Sequence, residues 1–262
     1  MHFQTRILDF KLLNNMPQFP TRQDVLEFTN NFQSQVETSK YWIKAQKKIN
    51  SDKKIHFLKK HSSMCTLEGN SFTDKENTIA CIYVVRDPRN VITSLANHYE
   101  FSTDEAFEFL TNERKIIFDT EYQDYGDIQF IGDWANHYKS WKNLKIASVK
   151  IIKYEDLIEN NENTFIDLLN FLKKFMTINI NKKKLKNVIT STDFSILQSK
   201  EKKFGFEESI LSKKNKNKIK FFNLGRDNNW KNFLDINTEK KIVKTFTEEM
   251  KELNYINSQV NI

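Results

Sequence analysis

A cationic side chain and a hydroxyl group follow the clearest predicted strand of the chain. Arg86 comes directly after the apolar run 79–85, and Ser94 lies eight residues later. Ligands of open parallel sheets bind at the carboxyl ends of strands, and a guanidinium, a hydroxyl group and a helix N-terminus together suit a phosphate group. The spacing therefore predicts an anion site. The alternative is that Arg86 and Asp87 form a salt bridge that closes a turn, with Ser94 a solvated helix residue.

A histidine preceded by lysines follows a second predicted strand, over residues 55–58. The segment reads Lys59, Lys60 and His61. A histidine beside a cation at the carboxyl end of a strand is able to act as a general base. Most single histidines have no catalytic role, so this pattern alone does not establish one.

Two further segments could contribute to the same site. Tyr154 follows a strand predicted over 149–152, at the same edge of the sheet, where its ring could contact a base or a ribose. The alternative is a rim tyrosine that packs on the next helix. The loop 221–231 presents Gly225, Arg226 and Trp230 in one short span. Its alternative reading is an ordinary turn anchored by the tryptophan.

The elements that must position these residues alternate between strand and helix. The run 79–85 is continuously apolar and β-branched, which is typical of a strand covered on both faces in a parallel sheet. It leads at once into a helical pattern, as does 149–152, and such βα units build α/β folds. We expect a single domain over 1–262. The predicted helices cover 21–32, 39–49, 90–96, 133–142, 163–175, 182–189 and 238–253, and an irregular loop with some order covers 200–223.

Composition excludes several classes of protein. The 262 residues carry a formal net charge of +7, with 41 basic and 34 acidic side chains. Such an excess suits nucleic acid, an anionic membrane or a phosphorylated small molecule, or reflects coding bias, and composition does not choose among these. Two cysteines make neither a disulfide framework nor a zinc ribbon. Residues 1–15 lack a signal-peptide core and no apolar run approaches about 18 residues, so we expect a cytoplasmic protein.

The segment 82–94 resembles the 3′-phosphate-binding segment of sulfotransferases that use 3′-phosphoadenosine 5′-phosphosulfate (PAPS). In that family an arginine and a serine eight residues later hold the 3′-phosphate, and Arg86 and Ser94 match both. The segment 57–61 is similar to the family's Lys-Thr-His segment. The resemblance implies that His61 is the catalytic base and that Lys59 stabilises the transferring sulfuryl group.

Other matches follow in family order. Tyr154 matches the tyrosine of a Tyr-Glu-Asp motif near the adenine, and Thr192 and Phe194 match a Thr-x-Phe motif that packs around it. Gly225 and the pair 230–231 match parts of a C-terminal Arg-Lys-Gly-x-x-Gly-x-Trp-Lys loop.

Two departures from the family pattern affect the expected chemistry. Asn223 and Leu224 stand where the family has two cations for the 3′-phosphate, and Arg226 is a candidate replacement for one of them. No segment resembles the family's first strand and the Tyr-Pro-Lys-Ser-Gly-x-Thr-like loop that cradles the 5′-phosphosulfate. We therefore expect a chain without that strand and loop.

The resemblance implies an α/β, three-layer, P-loop-NTPase-like fold with a central parallel sheet flanked by helices. The motif-bearing part spans about 55–235. The implied reaction moves a sulfuryl group from PAPS to a hydroxyl or amine of a small-molecule or glycan acceptor, without a metal. The alternative is a catalytically impaired nucleotide-binding remnant, or a truncated fragment of such an enzyme. Nucleic-acid binding is suggested only by the lysine runs 182–186 and 213–220, and no recognised motif accompanies them.

Overall fold

A computed structural model describes residues 16–118 and 122–258 of the chain. Its helices are α1 (Arg22–Val25), α2 (Trp42–Ile49), α3 (Pro88–Tyr99), α4 (Thr103–Thr111), α5 (Trp134–Lys142), α6 (Tyr154–Glu159), α7 (Asn161–Leu172), α8 (Lys182–Ser191), α9 (Phe194–Phe204), α10 (Ile236–Thr245) and α11 (Thr247–Glu252). Its strands are β1 (Thr66–Leu67), β2 (Asn70–Ser71), β3 (Ala80–Val85), β4 (Ile116–Ile117), β5 (Gln129–Phe130) and β6 (Ser148–Lys153). Across these described ranges, no helix has the length and apolar character that crossing a bilayer requires.

Strands β3 and β6 pair with each other. The N–H of Ser148 donates to the carbonyl of Ile79, just before β3, at 3.3 Å. Beyond the other ends, the N–H of Asp87 donates to the Glu155 carboxylate at 3.2 Å. The strands therefore begin together and end together, as parallel strands do, and each leads directly into a helix. The predicted α/β class, with a parallel sheet flanked by helices, is confirmed. The short pairs β1–β2 and β4–β5 are antiparallel.

The described residues form two compact units. Unit A comprises 16–83 and 111–151, and unit B comprises 84–110 and 152–258. The boundaries between them fall inside β3 and β6. The single-domain organisation stays a prediction. The predicted lack of a first strand and phosphate loop concerns the N-terminal region, of which residues 1–15 lie outside the described residues.

The core of unit A is built from aromatic side chains. Trp42 packs edge-on against Phe72 with ring centroids 5.1 Å apart, and Phe72 meets Phe19 and Trp141 in the same way. All four rings are buried. Burial of large rings with edge-to-face contacts is a strong source of stability, and it fixes the segments before and after the Lys59–His61 stretch.

Helix α1 is shorter than predicted. A capping box opens this helix, and the N–H and hydroxyl of Thr21 both donate to the Asp24 carboxylate, at 2.7 and 2.8 Å. The helix nevertheless ends at Val25 rather than near residue 32. Downstream, the Thr29 hydroxyl and the Asn31 side chain accept main-chain N–H groups two residues on. Such local bonds compete with helix bonds, so no helix forms over residues 29–32, the second part of the predicted span.

The predicted strand over 55–58 is wrong. Among the described residues, this stretch is followed only by an isolated parallel bridge between Gln18 and Lys59. The N–H of Lys59 donates to the carbonyl of Pro17 at 2.8 Å. The N–H of Phe19 donates to the carbonyl of Lys59 at 3.0 Å. The next bond of this ladder, toward residue 57, would require an N–H from residue 17. Proline has none, so the ladder ends at the bridge.

Two other predictions need correction. The segment 200–223 is not all loop, because α9 continues to Phe204 before the irregular part begins. The single closing helix predicted over 238–253 is two helices, α10 and α11, interrupted at Phe246. The Phe246 ring is buried, and its backbone leaves helical geometry at φ −117°. The remaining predicted helices correspond to α2, α3, α5, α7 and α8, and they are confirmed.

Candidate functional site

The turn after β3 separates the roles of its charged side chains. Asp87 caps α3, and its carboxylate accepts from the main-chain N–H of Arg89 at 2.9 Å. The Arg89 guanidinium forms a buried ion pair with the same carboxylate, with Nη2 at 2.7 Å. The salt bridge that closes this turn is therefore Asp87–Arg89. The Arg86 guanidinium lies instead against Ser94 and Tyr154.

Ser94 receives two N–H donors on its hydroxyl oxygen. Arg86 Nη1 donates to Ser94 Oγ at 3.2 Å, and Asn228 Nδ2 donates to the same atom at 2.9 Å. A hydroxyl has one proton to donate and two lone pairs to accept with. Both donors occupy the acceptor side, so the Ser94 proton is directed at another acceptor. A phosphate oxygen, which at neutral pH is mainly an acceptor, meets this requirement.

The Arg86 guanidinium also stacks on an aromatic ring. Its central carbon lies 4.4 Å from the centroid of the Tyr154 ring, at the start of α6. Burial lowers the pKa of Arg86, while Tyr154 and Glu155 act in the opposite direction. A guanidinium stays charged in proteins. The site therefore holds a fixed and partly desolvated cation, whose attraction for an anion is stronger than that of a solvated one.

The predicted nucleotide-binding residues line one cavity of unit B, with a volume of about 950 Å³. All seven of these residues lie in the described part of the chain, and they are Arg86, Ser94, Tyr154, Thr192, Phe194, Gly225 and Arg226. Ligand pockets usually measure about 300–1,000 Å³. The structure thus brings together seven residues that are separated by up to 140 positions in the sequence.

Gly225 and Phe194 are in direct contact in the wall of this cavity. The backbone of Gly225 has φ +56°, and a Cβ added there would lie 2.6 Å from the Phe194 ring. Both features require glycine at this position. The ring of Phe194 is thereby held against the loop that carries Arg226.

Replacing Gly225 with alanine is expected to displace the Phe194 ring and to lower the free energy of unfolding by about 1–3 kcal/mol. The control is Gly69→Ala, at φ +82° with no atom within 4 Å of the added Cβ. It carries the conformational cost without the steric one. Chemical denaturation of both variants measures the difference, and equal losses would contradict a steric role for Phe194.

Thr192 and Asp193 join α8 to α9. The Thr192 hydroxyl donates to the Val188 carbonyl at 2.9 Å. It therefore offers a ligand an acceptor or its methyl group, not its proton. The Asp193 carboxylate caps α9 by accepting from the N–H of Ser195 at 2.9 Å, and hydrogen bonds from Ser195 lower the pKa of Asp193.

Side chains of α9 organise the loop before Gly225. The Glu201 carboxylate accepts from the N–H groups of Phe221 and Phe222, at 2.7 and 2.9 Å. Gln198 Nε2 donates to the carbonyls of Phe222 and Asn223, both at 3.0 Å. The two α9 side chains thus fix the loop through hydrogen bonds to its main-chain N–H and carbonyl groups.

Arg226 follows the loop glycine and reaches toward α6. Its Nη2 donates to the Ile158 carbonyl at 3.0 Å, and the residue lines the cavity. This contact engages one of the five N–H donors of a guanidinium. Its predicted replacement of a missing cation stays a prediction.

Asn228 is a residue of the cavity wall that the sequence analysis missed. It is 7% exposed, and besides Ser94 its Nδ2 bonds the Asn90 carbonyl at 3.1 Å. Its Oδ1 accepts from the Thr93 hydroxyl. Counted from Gly225, Asn228 takes the position of the second glycine in the Arg-Lys-Gly-x-x-Gly-x-Trp-Lys pattern. An asparagine in place of that glycine was the one signal in the sequence that pointed to this residue.

The loop also contains the anchor that its alternative interpretation describes. The Trp230 ring lies over the Arg89 guanidinium, 4.1 Å from ring centroid to Cζ. The main-chain N–H of Trp230 donates to Asn90 Oδ1 at 2.9 Å. The loop is therefore both anchored by its tryptophan and part of the cavity wall.

Lys59 and His61 belong to unit A. His61 is exposed, and its carbonyl lies 2.9 Å from His137 Nε2. Lys60, between them, has its ammonium group packed against the Phe72 ring and 5.2 Å from the Trp141 centroid. Burial lowers the pKa of Lys60 well below its usual range. The sequence analysis did not single out Lys60, which stands where the resembling segment has threonine.

Comparison with known proteins identifies the family. The model of the sulfotransferase domain matches residues 8–254. A search of curated proteins found no match. Among solved structures, mouse sulfotransferase SULT7A1 complexed with PAP is similar with a TM-score of 0.48 and 20% identity, covering 80% of this chain and 71% of that chain. Because the family model spans nearly the whole sequence, the chain belongs to the family of enzymes that carry a sulfotransferase domain.

Proposed function

We propose that this protein transfers a sulfuryl group from PAPS to a hydroxyl or amine of an acceptor. The observation that carries the proposal is Ser94, whose hydroxyl accepts from Arg86 and Asn228 and keeps its proton for an oxyanion. The cavity is also lined by Lys220 and Arg226. Its acidic lining residue, Asp193, is engaged with Ser195. This balance of charge favours an anionic ligand.

The lining residues fit a nucleotide that carries a 3′-phosphate. Arg86 and Ser94 would hold the phosphate, because a cation and a hydroxyl donor converge there beside α3. Tyr154, Phe194 and Thr192 would contact the adenine, since aromatic side chains stack on bases. When bound, PAPS supplies an activated sulfuryl group. The absence of a metal from the reaction stays a prediction.

His61 and Lys59 would act on the reacting groups. A bond forms between the acceptor oxygen or nitrogen and sulfur, and the bond from sulfur to the phosphate oxygen of PAPS breaks. His61 would take the acceptor's proton. Lys59 would neutralise negative charge on the sulfuryl oxygens. The exposed position of His61 supports this role, because an external acceptor has to reach its ring.

A second candidate is nucleotide binding without turnover. It is favoured by Asn223 and Leu224, which line the cavity where the resembling family has two cations. Fewer cations would weaken the hold on the 3′-phosphate. Both candidates share the nucleotide site and differ in whether the sulfuryl group moves.

Incubation with radiolabelled PAPS and a panel of phenols, alcohols, amines and glycans separates the two candidates. Sulfotransferase activity predicts labelled product with stoichiometric release of 3′-phosphoadenosine 5′-phosphate (PAP). Tight PAP binding without transfer to any acceptor would support the remnant. A folded protein that neither binds PAP nor releases it from PAPS would overturn both. The acceptor class and a cytoplasmic location stay predictions.

The Asn228→Ala variant is expected to bind PAP about tenfold more weakly, because one hydrogen bond that orients a charge-contacting group is lost. The matched control is Asn229→Ala. Asn229 is the next residue, and its side chain accepts from the N–H of Lys231 rather than contacting Ser94. Calorimetric titration with PAP gives both affinities. An unchanged affinity in Asn228→Ala would show that Ser94 needs no orientation by the loop.

A further inference from the structure

The main chain that carries His61 has no regular secondary structure, and side chains of one helix bond it at several points. Three polar side chains on one face of α5 bond residues 61–64. The contacts are His137 Nε2 to the His61 carbonyl oxygen (2.9 Å), Ser140 Oγ to the Met64 N–H (2.9 Å) and Trp141 Nε1 to the Ser62 carbonyl oxygen (3.1 Å). Spacings of three and four residues place side chains together on a helix. Residues 62 and 63 also bond Phe130 of β5, where the Ser63 N–H donates to the Phe130 carbonyl at 2.7 Å and the Phe130 N–H donates to Ser62 Oγ at 3.2 Å. The α5 side chains therefore hold both ends of the segment, including residue 61.

His137 is the member of this set that bonds residue 61 itself. A carbonyl oxygen only accepts, so His137 Nε2 carries the proton and donates. In the neutral ring Nδ1 is then an acceptor, and the Tyr83 hydroxyl lies 2.8 Å from it. The His137 ring is the donor in the bond to His61 and the acceptor in the bond to Tyr83. Together these two bonds fix both the tautomer and the orientation of the His137 ring.

The surroundings of His137 keep both bonds intact at neutral pH. Burial lowers the pKa of His137, so the ring stays neutral and Nδ1 keeps its lone pair. Burial also raises the pKa of Tyr83, so its hydroxyl keeps the proton that it donates. The ring centroids of the two residues lie 5.6 Å apart. The pair is a pre-organised support behind the His61 carbonyl.

We propose that His137 is a positioning residue that fixes the main chain of His61, so that the His61 imidazole is held in place to take the acceptor's proton. The inference rests on the role of His61 in the proposed function. A base has to lie within hydrogen-bond reach of the proton that it removes. On an irregular segment that placement depends on supporting contacts, and His137 provides a hydrogen bond to the main chain of the residue itself.

Two substitutions separate positioning from packing. His137→Leu fills the space without either hydrogen bond. His137→Gln carries an amide N–H for the His61 carbonyl and an amide oxygen for the Tyr83 hydroxyl. We expect His137→Leu to lower kcat about 10- to 100-fold, the cost of a misplaced catalytic group, with the KM for PAPS unchanged within about threefold. His137→Gln is expected to regain kcat to within about threefold of the wild type.

Equal kcat losses in the two variants would overturn the proposal, because a packing role does not distinguish an amide donor from leucine of similar size. Full kcat in His137→Leu would overturn it as well. Thermal melting of each variant identifies loss of folding. Should His137→Leu not fold, Tyr83→Phe takes its place. It removes the hydroxyl that fixes the His137 tautomer, and the proposal then expects a lower kcat at unchanged PAPS KM.

A measurement without turnover keeps this inference separate from the proposed function. In protein labelled with ¹⁵N-histidine, His137→Gln and His61→Ala assign the two rings by the signals that each removes. We expect the Nε2–H tautomer at His137, and a shifted or broadened His61 ring in His137→Leu or, should that variant not fold, in Tyr83→Phe. An Nδ1–H tautomer at His137, or an unchanged His61 ring, would refute positioning. Failure of the wild type to transfer sulfuryl groups would refute the proposed function instead, whatever the tautomer.

Discussion

Substitution of His61 with alanine is expected to lower kcat for sulfuryl transfer by about 10²- to 10⁴-fold, the usual contribution of a general base. The acceptor would then lose its proton to water. PAP affinity is expected to stay within about twofold of the wild type, since the proposed nucleotide contacts are made by unit B residues. Single-turnover measurements with saturating PAPS report the chemical step directly.

The matched control for His61 is His56, five residues earlier. The ring of His56 is hydrogen-bonded to the Asp52 carboxylate at 2.8 Å, and that bond, together with the one from the Lys54 N–H, lowers the pKa of Asp52 to about 2. We expect His56→Ala to retain the wild-type kcat. Unchanged turnover in His61→Ala would reject His61 as the base, and equal losses in both variants would indicate a general effect on folding.

Removal of the Arg86 guanidinium is expected to weaken PAP binding by about 100-fold or more, as truncating one partner of a desolvated charge pair usually does. Arg86→Ala also removes the donor to Ser94 Oγ and the stack on Tyr154. Arg86→Lys keeps the charge but not the planar fork. We therefore expect Arg86→Lys to bind with intermediate affinity.

Calorimetric titration with PAP measures these affinities, and Arg114→Ala, an exposed arginine of unit A, is the control. The loss in Arg86→Ala is expected to be smaller for adenosine 5′-phosphate, which lacks the 3′-phosphate. An equal loss for both nucleotides would place Arg86 elsewhere than at the 3′-phosphate.

The βα units were predictable because their signals are local. The run 79–85 is apolar and β-branched over its whole length, and Asp87 with Pro88 opens the following helix. The capping box of Thr21 and Asp24 is likewise visible in the sequence, because its two residues lie three positions apart. Patterns of this kind depend on propensity and periodicity, which a sequence displays directly.

The errors arose where distant residues decide the outcome. The strand expected at 55–58 is limited by Pro17, which lies about 40 positions away and lacks the N–H that a longer ladder needs. The helix expected through residue 246 is interrupted at Phe246, whose ring packs in the core while its backbone leaves helical geometry. Tertiary packing of this kind overrides local preference.

The site residues also divide into those that a local pattern predicts and those that depend on distant contacts. Arg86 and Ser94 could be predicted because they share one βα unit and an eight-residue spacing. Asn228 was missed because its contact with Ser94 spans 134 positions, and its local signal is only a departure from the glycine of the family loop, which does not indicate that contact. Lys60 was missed because an exposed-looking lysine run conceals one side chain that is packed against Phe72 and Trp141.

Calorimetric titration of the wild-type protein with PAP and with adenosine 5′-phosphate tests the central claim most directly. The two ligands differ only in the 3′-phosphate that Arg86 and Ser94 are proposed to hold. We expect PAP to bind at one site and at least about 100-fold more tightly, as charge-assisted phosphate contacts imply. Equal affinity for the two nucleotides, or no binding of PAP by folded protein, would contradict the proposed donor site.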